Sequence, residues 1–175
     1  DIAFFADVVG LYGDHEGGWA SHVRRGLQIP ANDPLVLISA LAAVTDRIGL
    51  ALTSSVIQAH PFAFARQLST LDHLSGGRAI LGLGVSGPQV VEGWYGEPFR
   101  RPLARTREYV DVVRQVLARE APVTSEGPAY TLPYPGEDAT GLGKALKPIV
   151  HPLRADLPIY LAAEGPKNIA LAAEI

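Results

Sequence analysis

The 175-residue chain contains no cysteine and no methionine, and only two tryptophans. Without cysteine it can build neither a disulfide framework nor a thiolate metal site, and the expected setting is cytoplasmic. No apolar run approaches the roughly 18 residues that would mark a membrane span, and the first residues carry no signal-peptide pattern. Charge of one sign is not in excess either. The net charge is −3 with both signs interspersed, so no basic stripe is on offer to neutralise phosphates, and nucleic acid is disfavoured as a partner. With no methionine to start it, the chain opens directly on "DIAFF", which reads as a strand already under way. The expectation is a fragment or an excised segment.

What is present is a core-forming composition, 47% hydrophobic and 19% charged, enough for one domain. Strand and helix patterns alternate along it. Residues 2–6 form a short apolar run fit for a buried strand. Asp33 and Pro34 then supply an N-cap and a first-turn proline for a helix to about Thr45. Residues 48–53, "IGLALT", read as a second strand. Pro61 opens a second helix that Gly76-Gly77 stops near Leu74. A third strand covers 79–84, and an amphipathic helix runs from about Leu103 to Arg119. Residues 123–132 look like a small hairpin inside an excursion spanning 120–157. "PIYLAA", 158–163, gives a fourth strand, with a helix opening near Pro166. Four β-then-α units whose strands are apolar throughout predict an α/β fold with a parallel, helix-covered sheet. A complete (β/α)8 TIM barrel takes about 250 residues, so this chain would supply about four units, a partial barrel.

"GLGVSG", 82–87, matches the spacing of a dinucleotide-binding turn, yet its context fails. After Gly87 the chain is broken by Gly93, Gly96, Pro98 and Pro102, so no helix of useful length is expected on the third glycine. The stretch about twenty residues on, where that fold places a ribose-binding acid, is mid-helix instead. The glycines are better read as small residues pressed against neighbours or a flat ligand at a strand's C-terminal tip, where barrel enzymes place their chemistry.

Longer stretches carry a more specific signal. "NDPLVLISALAAVTDRIGLALTSSVIQAHPFAFARQLSTLDHLSGGR", 32–78, resembles the bacterial-luciferase-like flavin monooxygenases, in particular the branch of the nitrilotriacetate and dibenzothiophene-sulfone monooxygenases. "AILGLGVSGPQVVEGWYGEPFRRPLARTREYVDVVRQVL" and "GLGKALKPIVHPLRADLPIYLAAEGPKNIALAAEI", within 79–175, resemble the branch of the same superfamily that uses coenzyme F420. The chain changes allegiance near Arg78.

The resemblance implies a cofactor ring lying across the C-terminal ends of the strands. Ser54, Ser55 and Val56 would end one strand, with Ser55-Val56 matching a bond that is often a cis peptide in the family. Val85, Ser86 and Gly87 would meet the ring edge from the next strand, and Glu164 and Gly165 from the one after. Asp7 would orient a substrate or a ring nitrogen, although an acid after a strand is more often a loop cap. His60 would protonate or hydrogen-bond the cofactor, and a local role at the helix start weighs almost as much. The serine hydroxyls could equally satisfy their own turn, and the charge on Glu164 could simply be solvated. Residues 10–33 are longer than a compact domain normally leaves without structure and read as a lid, whose Tyr12 and Trp19 could contact substrate. His15, Glu16 and His22 fix no common face, so no metal site is expected. Arg100, Arg101, Arg105 and Arg107 read as a solvated helix start.

Two activities follow from the resemblance. In one, reduced FMN supplied by a separate flavin reductase meets oxygen while the protein excludes water and positions a small organic substrate. In the other, a hydride passes directly between coenzyme F420 and a small-molecule substrate. Residues 1–78 favour the first and 79–175 the second, and the monooxygenase is the reading preferred from sequence. A non-catalytic flavin-binding or incomplete structural fragment is the alternative from another class. A homo-oligomer without membrane or nucleic-acid contacts is expected.

Overall fold

In the computed structural model residues 1–6 and 33–175 are described. Four strands, β1 (Ile2–Ala6), β2 (Gly49–Ser55), β3 (Ala79–Gly84) and β6 (Ile159–Leu161), form one parallel sheet in the order β1-β2-β3-β6. A separate antiparallel pair, β4 (Ser125–Glu126) and β5 (Thr131–Leu132), makes a small hairpin. The helices are α1 (Pro34–Ala42), α2 (Pro61–Ser75), α3 (Pro88–Gly93), α4 (Pro102–Ala118) and α5 (Pro166–Glu174). Each begins on a proline, whose fixed φ suits the first turn and whose missing N–H is not needed there. Gly76 ends α2 in the left-handed region at φ 62°, a conformation that costs glycine little.

One face of the sheet carries the core. Leu50 and Leu52 of β2 and Ala79, Leu81 and Leu83 of β3 bury against Leu68 and Leu71 of α2, which in turn meets Tyr109, Val112, Val113 and Val116 of α4. Neighbouring strands pair in parallel, and α1, α2 and α4 contribute to one core on the same face, the arrangement of successive units of a TIM barrel. On the opposite face stand Phe4, Ala51, Thr53, Ile80, Gly82 and Tyr160, in register across the four strands. That face has no covering layer among the described residues. This is why β3 alternates buried and half-buried positions, although its sequence is apolar throughout.

The N-terminal edge of the sheet is tied by two arginines. Arg78 donates to the Ser75, Ile48, Ala42 and Thr45 carbonyls and to Thr45 Oγ1, closing the end of α1 onto the start of β3. Arg154 makes a two-pronged pair with the buried Asp72 carboxylate and also donates to the Ala79 carbonyl. A bidentate arginine fork is what a buried carboxylate needs to be tolerated.

One expectation holds and another changes. The helix that begins straight after Gly87 is the six-residue α3, too short for the dinucleotide fold. The Ser55–Val56 peptide is trans, and Leu132–Pro133 is the cis bond among the described residues.

Candidate functional site

Parallel pairing brings the C-terminal tips of β2, β3 and β6 side by side. Ser55 pairs with Gly84, the Val56 amide donates to the Gly84 carbonyl at 3.1 Å, and the Ala162 amide donates to the Leu83 carbonyl at 2.8 Å. Ser54 and Ser55 thus lie beside Leu83 and Gly84, and the chain continues into Val56 on one strand and into Val85, Ser86 and Gly87 on the other. Glu164 and Gly165 follow one strand further on, between β6 and α5. Val56 and Val85 line one narrow crevice with Phe99, Arg100 and Arg105. Ser86 sits at φ 60°, a left-handed conformation that costs a non-glycine residue about 1–2 kcal/mol. It turns the chain out of β3 into α3. Glu164 is exposed, in keeping with a solvated charge. Asp7, Tyr12 and Trp19 lie outside the described residues.

The β2 tip is braced from several directions. Gln58 Oε1 accepts from both Ser54 Oγ and the Ser55 amide at 2.6 Å. The Val56 carbonyl accepts from the Tyr130 hydroxyl at 2.9 Å. Ser55 Oγ is buried and has no hydrogen-bond partner. A buried hydroxyl without a partner costs roughly 1–3 kcal/mol, and on this strand it stands at the tip of the uncovered sheet face beside a glycine. Gly82, one pairing step back, leaves no free room for a side chain, because a Cβ there would lie 2.7 Å from Thr53 Cγ2 and Thr53 would have to shift. The glycines leave the sheet low at this point, and the Ser55 hydroxyl is enclosed at its edge.

His60 caps α2, its Nδ1 accepting from the Phe62 amide at 3.3 Å. This is the local role weighed for it from sequence. With Nδ1 an acceptor, Nε2 carries the proton. The imidazole is exposed and meets the Tyr130 ring edge-on at 5.6 Å, and Tyr130 meets Tyr109 at 6.0 Å. Burial raises the Tyr130 phenol to about 12 and pushes Tyr109 further up. Both stay neutral at physiological pH.

The arginines at the start of α4 do more than face solvent. Arg100, Arg101 and Arg105, with Glu108, Pro98 and the 128–129 loop, enclose a hollow of about 370 Å³. Arg105 pairs with Glu97 at 3.3 Å, and Arg107 pairs with Glu174 instead. A larger hollow of about 670 Å³ lies between α4 and the hairpin, away from the strand tips. Gln58 and Tyr130 were not singled out from sequence. Gln58 sits in the quoted "SSVIQAH" but has no periodicity to announce it, and Tyr130 reaches Val56 across 74 residues.

The luciferase-like monooxygenase family model matches residues 10–175. The chain belongs to that family. It is 71% identical over 134 residues to a Mycobacterium tuberculosis protein provisionally named a coenzyme F420-dependent oxidoreductase, a match covering 75% of this chain and 38% of that protein. It is 50% identical over 78 residues to the long-chain alkane monooxygenase of Geobacillus thermodenitrificans, covering 45% of this chain and 18% of the relative. Among solved structures, a riboflavin lyase holding modified FMN and riboflavin superposes with a TM-score of 0.77 over 98% of this chain and 41% of its own, at 21% identity, which shows the shared fold. The chain spans well under half the length of these relatives. Both branches recognised in the sequence are thus represented, and the fold is that of a luciferase-like TIM barrel, of which the described residues form four parallel strands.

Proposed function

We propose that this luciferase-like chain forms one side of an oxidoreductase site in which a flavin-type ring lies across the tips of β2, β3 and β6. The observation that carries this reading is the buried, partnerless Ser55 hydroxyl, at the tip of the uncovered sheet face and paired to Gly84. A small opening of the tip would let it donate to a ring carbonyl and so gain the partner it lacks. Val85 would supply apolar contact while the buried Val56 anchors the tip in the core, the Ser86 and Gly87 backbone would border the ring edge, and Ser54 would hold the tip through Gln58. Gly165, and Glu164 beside it, would close the third side. His60 would hold a proton on Nε2 at the margin, and Asp7, with Tyr12 and Trp19, would belong to the substrate side.

For the ring, the deazaflavin of coenzyme F420 is the first choice, because the M. tuberculosis relative is both more similar and matched over more of the chain than the monooxygenase. Bound there, coenzyme F420 would supply or accept a hydride, and the chain's part is to orient ring and substrate and to exclude water. A second reading, reduced FMN with oxygen and a partner flavin reductase, is favoured by the 50% identity to the alkane monooxygenase. Either way the substrate is a small organic molecule.

Fluorescence titration with coenzyme F420, FMN and reduced FMN separates them. Micromolar binding of coenzyme F420 with weaker FMN binding is expected. Preference for reduced FMN would move the assignment to the second reading, and a folded protein that binds none of the three would overturn both. Ser55→Ala should weaken whichever ring binds by about tenfold, the worth of one hydrogen bond from a preorganised donor.

A further inference from the structure

The Ser55-Val56-Ile57-Gln58 turn at the end of β2 is held by bonds of two origins. Most are local or come from the adjacent strand: Gln58 Oε1 to Ser54 Oγ and Ser55 N, the Gln58 amide to the Ser55 carbonyl, and the Val56 amide to the Gly84 carbonyl. None of these fixes the outward direction of the Val56 carbonyl. Val56 is 1% exposed, so that carbonyl needs a partner from the protein. Tyr130 provides it from the hairpin.

The hairpin is itself secured for this purpose. Glu108 Oε2 on α4 accepts from the Ala129 and Tyr130 amides at 2.8 and 3.0 Å, and Thr131 Oγ1 donates to the Gly127 carbonyl at 2.8 Å. A Cβ at Gly127 would collide with the Glu108 carboxylate, so glycine is what lets the acid approach the loop. The Tyr130 ring is then wedged edge-on between His60 and Tyr109. A rigid path therefore runs from α4 through the hairpin to the strand tip.

We propose that Tyr130 is a positioning residue: its hydroxyl sets the conformation of the β2 tip through the Val56 carbonyl, and through that tip the affinity for the ring. The consequence for affinity rests on the ring site proposed above, whereas the consequence for the tip does not. The hairpin thereby becomes part of the site's framework.

Tyr109 provides the control. Its hydroxyl is also buried but has no hydrogen-bond partner, so Tyr109→Phe removes the same atom from the same ring cluster without touching Val56. The expected result for Tyr130→Phe is faster amide hydrogen exchange at Val56 to Gln58 and about tenfold weaker ring binding, with Tyr109→Phe matching wild type in both. Glu108→Gln, which weakens the anchor of the loop, should shift the same amides in the same direction. If Tyr130→Phe lowers stability but leaves exchange at the tip and ring affinity unchanged, the tyrosine only packs, and the proposal is overturned. Equal exchange changes in both Tyr→Phe variants would overturn it as well. A wild-type protein that binds no ring defeats the proposed function, while the exchange measurement still decides whether Tyr130 holds the tip.

Discussion

At the scale of single residues, charge and burial make two measurable demands. Tyr109 and Tyr130 ionise far less readily in the folded chain than in the unfolded one, because burial disfavours the phenolate. A raised folded value means that the stabilisation is complete below the unfolded pKa of about 10 and is lost as pH rises towards the folded one. Stability should therefore fall from about pH 10 upward, and a spectrophotometric titration should show one phenol ionising near 12, a step missing in Tyr130→Phe. Ionisation of every tyrosine together near pH 10 in still-folded protein would contradict this. Arg78 makes the second demand. Its guanidinium serves five acceptors around the end of α1, a geometry that the single ammonium of lysine cannot reproduce. Arg78→Lys should cost about 3 kcal/mol in urea unfolding, since several half-buried carbonyls lose their donors.

At the scale of elements, the fit between β2 and β3 depends on which residue lacks a side chain. Gly82 faces Thr53, and the Thr53 hydroxyl donates to the Phe5 carbonyl at 3.0 Å, linking β1 to the pair. Gly82→Ala would drive its methyl into Thr53 Cγ2, forcing either a rotamer change that breaks the Phe5 bond or a separation of the strands. A loss of about 1–3 kcal/mol is expected. Adding Thr53→Ser, which deletes that methyl and keeps the hydroxyl, should recover most of the loss, and a double mutant no better than Gly82→Ala would show the strain to lie elsewhere. This pairing also marks how far the sequence could be read. Proline at the starts of α1, α2 and α5, Gly76 at the end of α2 and the apolar strands placed most of the main elements to within a few residues, because these are local signals of backbone geometry, whereas α3 was not foreseen and Pro102, which opens α4, was read as a break. The glycine at 82 was legible as a close approach, but not what it approached. Tyr130 to Val56 and Arg154 to Asp72 join residues 74 and 82 positions apart, and no local pattern encodes such a partner. The candidate residues at the tips came from family resemblance, and what the structure added was the distinction among them. Ser54 is braced by Gln58, Ser55 keeps a free hydroxyl, and His60 is engaged in capping its helix.

For the whole molecule, the telling asymmetry is between the two faces of the parallel sheet. Among the described residues the helix side is closed, whereas the other side leaves Ile2 48%, Phe4 67% and Tyr160 58% exposed, with β1 and β6 each unpaired along one edge. Exposed apolar area next to free strand edges favours association, because both the hydrophobic surface and the unpaired backbone groups gain from a second chain. The 175-residue chain produced alone should therefore sediment as dimers or larger species at micromolar concentration. Phe4→Glu combined with Tyr160→Lys, which places a charge on each side of that face without touching the helix-side core, should shift the population towards monomer. The same substitutions should leave the Tyr130 to Val56 bond intact, since it lies at the strand tips rather than on the open face, so amide exchange at Val56 should not change. A wild-type chain that is monomeric and melts in one cooperative step would show instead that the helix-side core suffices, and that the open face is tolerated in water.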